Sequence, residues 1–252
     1  MKIAVAAGAS SGLGREFVFL LDTAGVDEIW VTARRKGRLL ALQQQVRTKV
    51  RVFAGDICRE DTIQSIKKAL QQETPDIAYF IYAAGLGRIG AAAEIPIKDV
   101  QQMIRVNCEG AAVLTSLCLP YMKKGSHIAE ICSVAAFQPI PYLNVYAATK
   151  AFLYRYSLAL AAELKPRGIT VTAVCPYWVK DTEFISLASQ TNGGPHFCRY
   201  LFADTAQKTA KRAWRDIQKG RMVSTPGWMA VWGRLAAACI PAKIIMWFCR
   251  HL

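Results

Sequence analysis

Short apolar runs alternate with longer amphipathic stretches from the amino terminus to Cys175. The six runs are KIAVAA, DEIWVTA, VRVFAGDIC, DIAYFIYAAG, HIAEIC and GITVTAVCP. They are largely apolar, which is typical of parallel strands that are buried on both faces of a sheet. Because helical stretches separate them and the connections are short, the pattern predicts an α/β fold with a doubly wound parallel sheet. No internal repeat, low-complexity stretch or linker interrupts the chain, so residues 1–252 are predicted to form a single domain.

The composition indicates a large buried core in a reducing compartment. Hydrophobic residues make up 53% of the 252 residues, enough for one α/β domain. The chain runs from Met1 almost directly into its first apolar run, without the pattern of a signal peptide. Its eight cysteines include no C-x-x-C pair, so neither a metal site nor a disulfide framework is predicted. A cytoplasmic protein is therefore expected.

The formal net charge of +14 indicates a polyanionic partner. A phosphorylated cofactor, a nucleic acid and an anionic membrane surface would each fit this charge. The chain shows no nucleic-acid-binding motif, and its basic residues are spread over many segments, so a nucleic acid partner is not expected.

A glycine-rich turn follows the first predicted strand, in AAGASSGLGREF. Gly8, Gly12 and Gly14 have the spacing G-x-x-x-G-x-G and lead into an amphipathic helix. Glycines let the backbone approach a pyrophosphate closely, and a helix amino terminus supplies free N–H groups and a positive dipole. An ordinary βα turn is the alternative, but the strand before and the helix after favour a phosphate site.

Two arginines follow the second predicted strand, where many NAD sites carry an acidic residue for the ribose 2′-hydroxyl. Arg34 and Arg35 take that place here. Guanidinium groups suit a 2′-phosphate, which they bind through charge-assisted hydrogen bonds. A solvated basic turn is the alternative, but the position at a strand end predicts NADP(H) rather than NAD(H).

The ends of the third and fourth predicted strands supply further candidates for nucleotide binding. Asp56 could accept a hydrogen bond from an adenine amino group while Ile57 packs on the ring, although Asp56 could also cap a helix. The small residues Ala83, Ala84 and Gly85 permit the close approach of a nucleotide.

Tyr146 and Lys150 stand four residues apart in a run of good helix formers, so they are expected on one helix face. A neighbouring ammonium favours phenolate and lowers the tyrosine pKa toward working pH, as general acid–base catalysis requires. Ser133 follows the fifth apolar run, at the sheet edge where open α/β folds bind ligands. The alternative is a half-buried ring beside a lysine whose amine reaches solvent.

Together these motifs resemble the short-chain dehydrogenase/reductase family. The resemblance covers roughly residues 2–185, and its matches come in family order. The matches are AGASSGLG at 7–14, GDI at 55–57, AAG at 83–85, Asn107, Ser133, Y-x-x-x-K at 146–150 and CPYWVKDTEF at 175–184. The family implies a Rossmann fold, a nicotinamide cofactor, a homo-oligomer and hydride transfer between nicotinamide and a carbonyl or secondary alcohol.

The resemblance also implies a role for each matching residue. Ser133 would hydrogen-bond the substrate oxygen, Tyr146 would exchange the proton, and Lys150 would lower the tyrosine pKa and bind the nicotinamide ribose. Asn107 would hold a water in a proton relay. The implied cofactor site consists of Gly8, Ser10, Ser11, Gly12, Leu13, Gly14, Arg34, Arg35, Asp56, Ile57, Ala83, Ala84, Gly85, Tyr146, Lys150, Pro176, Val179 and Thr182.

Three positions depart from the family pattern. Tyr82 stands where the family's N-A-A-G has asparagine, and Ala7 stands where threonine is common. Tyr177 takes the place of the family's glycine after Pro176. None of the three belongs to the Ser–Tyr–Lys triad, so the departures concern loop support and the shape of the site rather than the reaction class.

Residues 185–252 are predicted to form a substrate lid and a helical cap. The stretch SLASQTNGGPHFCRYLF carries the glycine and proline of a mobile loop, and its histidine, His196, is not predicted to be catalytic. An apolar pocket is expected, suited to a sterol, a bile acid, or a fatty or aromatic ketone. Its candidate wall residues are Phe137, Tyr142, Tyr177, Trp178 and Phe184.

The tail from Gly227 is strongly apolar but is interrupted by Arg234, Pro241 and Lys243. Two charges and a proline disfavour a membrane-spanning helix. Two short helices over the substrate mouth, or in a membrane interface beside the basic stretch KTAKRAWRDIQKGR, fit better. Burial against the core or a second subunit is the alternative. A peripheral membrane protein and a cofactor-binding regulator are accordingly the alternative functions.

Overall fold

Seven parallel strands form the central sheet of the computed structural model, which describes residues 1–190 and 202–250. The strands are β1 (Lys2–Ala7), β2 (Glu28–Ala33), β3 (Lys49–Ala54), β4 (Asp76–Tyr82), β5 (His127–Ile131), β6 (Thr170–Val174) and β7 (Val223–Ser224). Their order across the sheet is β3-β2-β1-β4-β5-β6-β7. All six predicted strands are present, so the predicted doubly wound parallel sheet is confirmed. The short strand β7 was not predicted.

Ten α-helices connect and cover these strands in the described part of the chain. They are α1 (Gly12–Leu21), α2 (Lys36–Gln43), α3 (Glu60–Glu73), α4 (Ile97–Ile104), α5 (Gly110–Cys118), α6 (Asn144–Leu164), α7 (Glu183–Ala188), α8 (Ala206–Gln218), α9 (Trp228–Cys239) and α10 (Ala242–Arg250). A π-helical turn, Arg105–Glu109, joins α4 to α5.

Each face of the sheet carries its own apolar core. On one face, Phe17 of α1 and Trp214 of α8 pack with side chains from the strands. On the other face, Leu70 of α3, Leu114 of α5 and Leu153 of α6 do the same. Because successive strand residues point to opposite faces, the continuous apolar runs of the sequence fill both cores at once.

The strand order reverses between β1 and β4, and open α/β sheets bind ligands in the crevice at the carboxyl ends of such a pair. The turns that follow these two strands meet there. The Ala83 N–H donates to the Ala7 carbonyl at 2.9 Å, and the Gly8 N–H donates to the Thr32 carbonyl at 2.8 Å. The ends of β1, β2 and β4 are thereby joined around one crevice.

Part of the region predicted to be a lid belongs to the main sheet. Helix α8 buries Ala213, Trp214 and Ile217, and β7 pairs with β6 at the sheet edge. Of the described helices, α7, α9 and α10 thus remain as candidates for the predicted lid. Residues 191–201 of the predicted lid loop, including His196, lie outside the described residues.

The described residues also show the lengths of the helices and the state of the thiols. Among the described helices, none is both long and apolar enough to cross a bilayer. The cysteines that the structure describes are free thiols, and three of them, Cys118, Cys132 and Cys175, are buried. These three pack as small apolar side chains in the core.

Candidate active site

The glycine-rich turn between β1 and α1 is packed too tightly for side chains at two of its glycines. A Cβ on Gly8 would lie 2.5 Å from the Ala84 nitrogen, and one on Gly14 would lie 2.2 Å from the Gly8 carbonyl oxygen. Gly8 and Gly12 have φ values of 78° and 52°, which glycine adopts without strain. Among the described residues, no side chain caps the amino terminus of α1 at Ser11. The first backbone N–H groups of the helix are therefore available to bind an anion. The turn therefore fits the pyrophosphate of a dinucleotide.

Arg35 lies against this glycine-rich turn. Its guanidinium donates to Ser11 Oγ at 2.7 Å and to Ser10 Oγ at 3.2 Å. Arg35 is also the N-cap of α2, so the helix amino terminus adds positive potential at this position. Arg34 is exposed and has no hydrogen-bond or ion-pair partner among the described residues. Of the two predicted arginines, Arg35 is therefore the one that the fold directs to the nucleotide crevice.

Two residues that were not predicted from the sequence, Arg38 and Glu183, form ion pairs beside Arg35. The Glu183 carboxylate lies 2.6 Å from Nη1 of Arg35 and 2.7 Å from Nη2 of Arg38. Hydrogen bonds from Arg38 and then Arg35 lower the pKa of Glu183 to about 2. Arg38 left a signal in the sequence, since it lies one turn into the same basic helix. Glu183 left none, because it stands 148 positions from Arg35.

Ser133, Tyr146 and Lys150 converge at the carboxyl ends of β5 and β6. Helix α6 carries the tyrosine and the lysine, with Lys150 Nζ 5.8 Å from the Tyr146 ring centroid. Ser133 lies two residues after the end of β5, close enough to Tyr146 for its hydroxyl to lower the tyrosine pKa. Lys150 Nζ donates to the Ile131 carbonyl at 2.6 Å, which holds the ammonium at the sheet edge. The fold thus brings together three groups that the sequence predicted separately.

Burial dominates the proton chemistry of this pair. Tyr146 is 7% exposed, and desolvation raises its pKa above the usual value, although the Ser133 hydrogen bond acts to lower it. Lys150 is 4% exposed, and desolvation lowers its pKa. Desolvation is the largest influence on the tyrosine pKa in this arrangement, and the lowering of that pKa by Lys150 stays a prediction. Loss of hydration disfavours phenolate more strongly than the Ser133 hydroxyl favours it.

Asn107 is fully buried in the π-helical turn and joins two segments of the site. Its Nδ2 donates to the Leu86 carbonyl at 2.8 Å and to Thr149 Oγ1 at 2.9 Å, while Oδ1 accepts from the Leu86 N–H at 2.9 Å. Both amide donors are used by the protein, so the side chain positions the loop after β4 against α6. Its role in holding a water stays a prediction.

Tyr82, which departs from the family pattern, braces the same π-helical turn. Its hydroxyl donates to the Val106 carbonyl at 2.6 Å. A Cβ on Gly110 would lie 2.7 Å from that hydroxyl, so glycine is needed for the contact. The tyrosine thus links the end of β4 to the turn that holds Asn107, where the family has an asparagine.

Asp56 and Ile57, the predicted adenine contacts, both interact with other parts of the protein. Asp56 Oδ1 accepts from the Cys58 N–H at 3.0 Å, and the N-cap of α3 is Arg59, so the alternative reading of Asp56 as a helix cap is wrong. Ile57 is 7% exposed and packs in the core. Leu13 of the glycine turn likewise packs against the core on the other face. Contact between these side chains and a nucleotide stays a prediction.

The segment after β6 folds back over the glycine-rich turn. The Pro176 carbonyl accepts from the Val134 N–H at 3.0 Å, beside Ser133. Thr182 Oγ1 donates to the Val179 carbonyl at 3.0 Å. A Cβ on Gly12 would lie 3.3 Å from the Thr182 methyl group, so Thr182 lies directly on the turn. The fold thus places all three predicted residues beside the crevice.

Two of the five predicted wall residues surround Tyr146. The Phe184 ring lies 5.2 Å from the Tyr146 ring, and Trp178 packs in the same small apolar cluster. Phe137 instead makes an edge-on contact with Tyr154 at 5.3 Å and packs against the main core. Phe184 and Trp178 thus pack in the same cluster as Tyr146, and the substrate wall as a whole stays a prediction.

One of the other two predicted wall residues lines a cavity at the start of α9. Tyr177 lines a separate cavity of about 250 Å³ together with Phe202 and Trp228. Tyr142 has a φ of 64° in the loop before α6, an uncommon conformation for a residue with a side chain. This aromatic cavity lies at the start of α9, so the tail and the segment after β6 share it.

Glu130 of β5 is a buried acid that the sequence pattern concealed inside an apolar run. Its Oε1 accepts from Thr115 Oγ1 at 2.7 Å, and within the described residues Oε2 has no partner. Burial raises the pKa of Glu130 to about 8. A protonated, uncharged carboxyl group is therefore favoured at neutral pH.

A family model described as short chain dehydrogenase matches residues 2–192 of the chain. An uncharacterized oxidoreductase of Staphylococcus epidermidis is 31% identical over 177 residues, which cover 69% of this chain and 76% of that protein. A very-long-chain 3-oxoacyl-CoA reductase of Emericella nidulans is 32% identical over 191 residues, which cover 70% of this chain. The match spans only 53% of that reductase.

Solved structures share the fold over nearly the whole chain. A short-chain dehydrogenase from Sphingobium yanoikuyae in complex with NADPH has a TM-score of 0.77 and 25% identity, with 94% of this chain and 93% of that chain covered. One from Burkholderia phymatum in complex with NAD has a TM-score of 0.81 and 20% identity, covering 95% of this chain and 94% of that chain. The second likeness concerns the fold alone.

Proposed function

The chain belongs to the short-chain dehydrogenase family, and we propose that it is an NADP(H)-dependent oxidoreductase that interconverts a hydrophobic ketone and its secondary alcohol. The observation that carries the proposal is the convergence of Ser133, Tyr146 and Lys150 beside the crevice that holds the glycine-rich turn. A hydroxyl, a phenol and an ammonium at one sheet edge are the groups that carbonyl reduction needs for binding the oxygen and moving the proton.

When a nicotinamide cofactor is bound in the crevice, its ring would supply the hydride for reduction and accept it for oxidation. Ser133 hydrogen-bonds the substrate oxygen and orients the carbonyl toward Tyr146. Tyr146 gives its hydroxyl proton to that oxygen during reduction and takes it back during oxidation. Lys150, held by the Ile131 carbonyl, keeps a positive charge near the phenol while the proton moves. Asn107 positions the loop after β4 and the face of α6 relative to each other.

NADP(H) is preferred over NAD(H) in this proposal because of the basic cluster after β2. Arg35 lies on Ser10 and Ser11 of the glycine-rich turn, and Arg38 lies one helical turn away. A ribose 2′-phosphate at that place would receive charge-assisted hydrogen bonds from both guanidinium groups. The solved structures that share the fold contain NADPH in one case and NAD in another, so the proposed preference of this chain rests on these arginines.

The proposed substrate is an apolar ketone or alcohol. The cluster around Tyr146 includes Phe184, Trp178 and Leu86, which offer an apolar surface next to the reacting group. Very-long-chain 3-oxoacyl-CoA reductases are among the relatives, and a long 3-oxoacyl chain is a hydrophobic ketone of this kind. In this proposal α7, α9 and α10 form the lid over the substrate.

A panel of carbonyl compounds tests this function. Consumption of NADPH is followed by absorbance with long-chain 3-ketones, steroid ketones, generic diketones and quinones, and then with NADH in place of NADPH. The expected result is NADPH oxidation by at least one apolar ketone, with slower oxidation of NADH. If NADPH binds and no carbonyl compound oxidises it, the cofactor-binding regulator is the better description.

A membrane-associated form of this enzyme is the second candidate, and the surface of α9 favours it. Trp228, Trp232 and Leu235 are 58%, 64% and 55% exposed, and helical spacing places them on one face. Gly233 lies against Val134, next to Ser133, so the helix also borders the active site. Exposed tryptophans beside basic segments are typical of helices that lie in a membrane interface. In this proposal the tail collects apolar substrates from an anionic membrane.

Vesicle binding tests the membrane contact. The 252-residue chain is expected to sediment with vesicles that contain anionic lipid at low salt and to be released at high salt. The double variant Trp232→Ser/Leu235→Ser should lose most of this binding. Ile97→Ser is the matched control, since Ile97 is 78% exposed on α4. A double variant that binds vesicles as well as the parent protein would rule out α9 as the contact surface.

A further inference from the structure

Three successive residues at the start of α7 contact three different parts of the candidate active site. The Thr182 methyl group lies on Gly12 of the glycine-rich turn. Glu183 binds the arginine cluster at the end of β2, and the Phe184 ring packs on Tyr146. The start of α7 therefore covers the pyrophosphate turn, the predicted 2′-phosphate site and the predicted proton donor at the same time.

Glu183 is held in the manner of a small anion. Arg35 donates through Nη1 to one carboxylate oxygen at 2.6 Å, and Arg38 donates through Nη2 to the other at 2.7 Å. Both oxygens are therefore engaged, and the two arginines keep the carboxylate ionised over the whole physiological pH range. Guanidinium groups bind carboxylate and phosphate with the same fork geometry, so Glu183 takes the position that a phosphate would take.

The far end of α7 is anchored independently. Arg88 Nη1 donates to the Leu187 carbonyl at 2.5 Å, and the Ile89 N–H donates to the Ala188 carbonyl at 2.8 Å. Arg88 is itself fixed by a half-buried ion pair with Asp99 at 2.8 Å. Loss of the Glu183 contacts would therefore release the start of the helix while its end stays in place.

We propose that Glu183 occupies the Arg35–Arg38 pair in the free protein, and that the 2′-phosphate of NADP(H) exchanges with it. The exchange releases the start of α7 from the glycine-rich turn and from Tyr146. This inference rests on the proposed use of NADP(H). A phosphate monoester carries a charge of about −1.5 to −2 and three acceptor oxygens, so it competes well with one carboxylate. NAD(H) has no such group and leaves the contact between Glu183 and the arginines in place.

Binding of nucleotide fragments tests the competition directly. Dissociation constants of 2′,5′-ADP and 5′-AMP are measured by calorimetry for the parent protein, Glu183→Gln and Glu73→Gln. Glu183→Gln is expected to tighten 2′,5′-ADP binding by about three- to tenfold, since exposed ion pairs are of modest strength. It should leave 5′-AMP binding unchanged. Glu73→Gln is the control, because it removes a comparably exposed ion pair with Arg51, away from the site.

Hydrogen exchange tests the release of α7. The fragment 2′,5′-ADP lacks the nicotinamide half, so it cannot contact Tyr146 itself. Its binding to the parent protein is expected to speed amide exchange in α7, whereas 5′-AMP should have no such effect. In Glu183→Gln the exchange should already be fast and should not change further on adding 2′,5′-ADP.

The possible outcomes separate this inference from the proposed function. Unchanged or weaker binding of 2′,5′-ADP to Glu183→Gln overturns the inference, because Glu183 would then be irrelevant to the arginines or would hold them ready for the phosphate. Unchanged exchange in α7 overturns the release. If the parent protein and Glu183→Gln both bind 2′,5′-ADP no better than 5′-AMP, the proposed NADP(H) preference itself fails.

Discussion

Replacing Tyr146 with phenylalanine is expected to lower turnover by about 10²- to 10⁴-fold, the usual contribution of a general acid. The ring and its packing against Phe184 are kept, while the transferable proton is removed. The melting temperature and the dissociation constant of NADPH should change little. The measurement is kcat with the best ketone of the panel, together with NADPH titration by fluorescence.

Tyr154→Phe is the matched control, since this tyrosine lies on the same helix and faces Phe137 rather than the site. Its kcat should stay close to that of the parent protein. Lys150→Ala, by contrast, should weaken NADPH binding and lower kcat together. If Tyr146→Phe keeps substantial activity, the tyrosine is structural and the proposed mechanism is wrong.

The pH dependence of reduction gives a separate check on Tyr146. Burial raises the tyrosine pKa, so the hydroxyl keeps its proton through neutral and mildly alkaline pH. The reduction rate should therefore stay level through that range and fall only where the tyrosine loses its proton. Oxidation of the alcohol should show the opposite trend, because the phenolate accepts the proton in that direction.

Replacing Arg35 with alanine is expected to weaken NADPH binding by about ten- to a hundredfold, as the loss of one charge-assisted contact does. NADH binding should change little, since NADH has no 2′-phosphate. Arg34→Ala should have a much smaller effect, because Arg34 points to solvent while Arg35 lies on Ser10 and Ser11. Titration of both cofactors by fluorescence provides the measurement.

Arg59→Ala is the control for charge, since it removes one exposed arginine from the same edge of the sheet. It should leave both cofactor affinities unchanged. If Arg35→Ala weakens the binding of NADPH and NADH equally, this arginine supports the glycine-rich turn and does not bind the 2′-phosphate.

Features that depend on neighbours along the chain could be predicted from the sequence. The six strands appeared as apolar runs because both faces of a parallel strand are buried. The runs themselves were therefore enough to locate the strands. Tyr146 and Lys150 share a helix face because residues four apart always do in an α-helix. The glycine-rich turn was recognisable because a turn between a strand and a helix needs glycine at set positions.

Features that depend on distant residues could not be predicted. β7 has only two residues and is recognised by its pairing with β6, not by a hydrophobic pattern of its own. Helix α8 was assigned to the lid, since nothing in its basic sequence shows that Trp214 and Ile217 are buried against the sheet. The hydroxyl of Tyr82 reaches Val106 because the π-helical turn presents that carbonyl to it.

The sequence by itself determined the parallel sheet, the order of the motifs and the identity of the groups at the sheet edge, since each depends on local spacing and residue type. Only the tertiary structure decided in which direction the pKa values of those groups shift and which segment of the chain covers them. Burial, which no spacing reveals, sets the direction of the pKa shifts of Tyr146, Lys150 and Glu130. The contact of Glu183 with Arg35 joins segments 148 positions apart, and it forms because the chain returns over the crevice after β6.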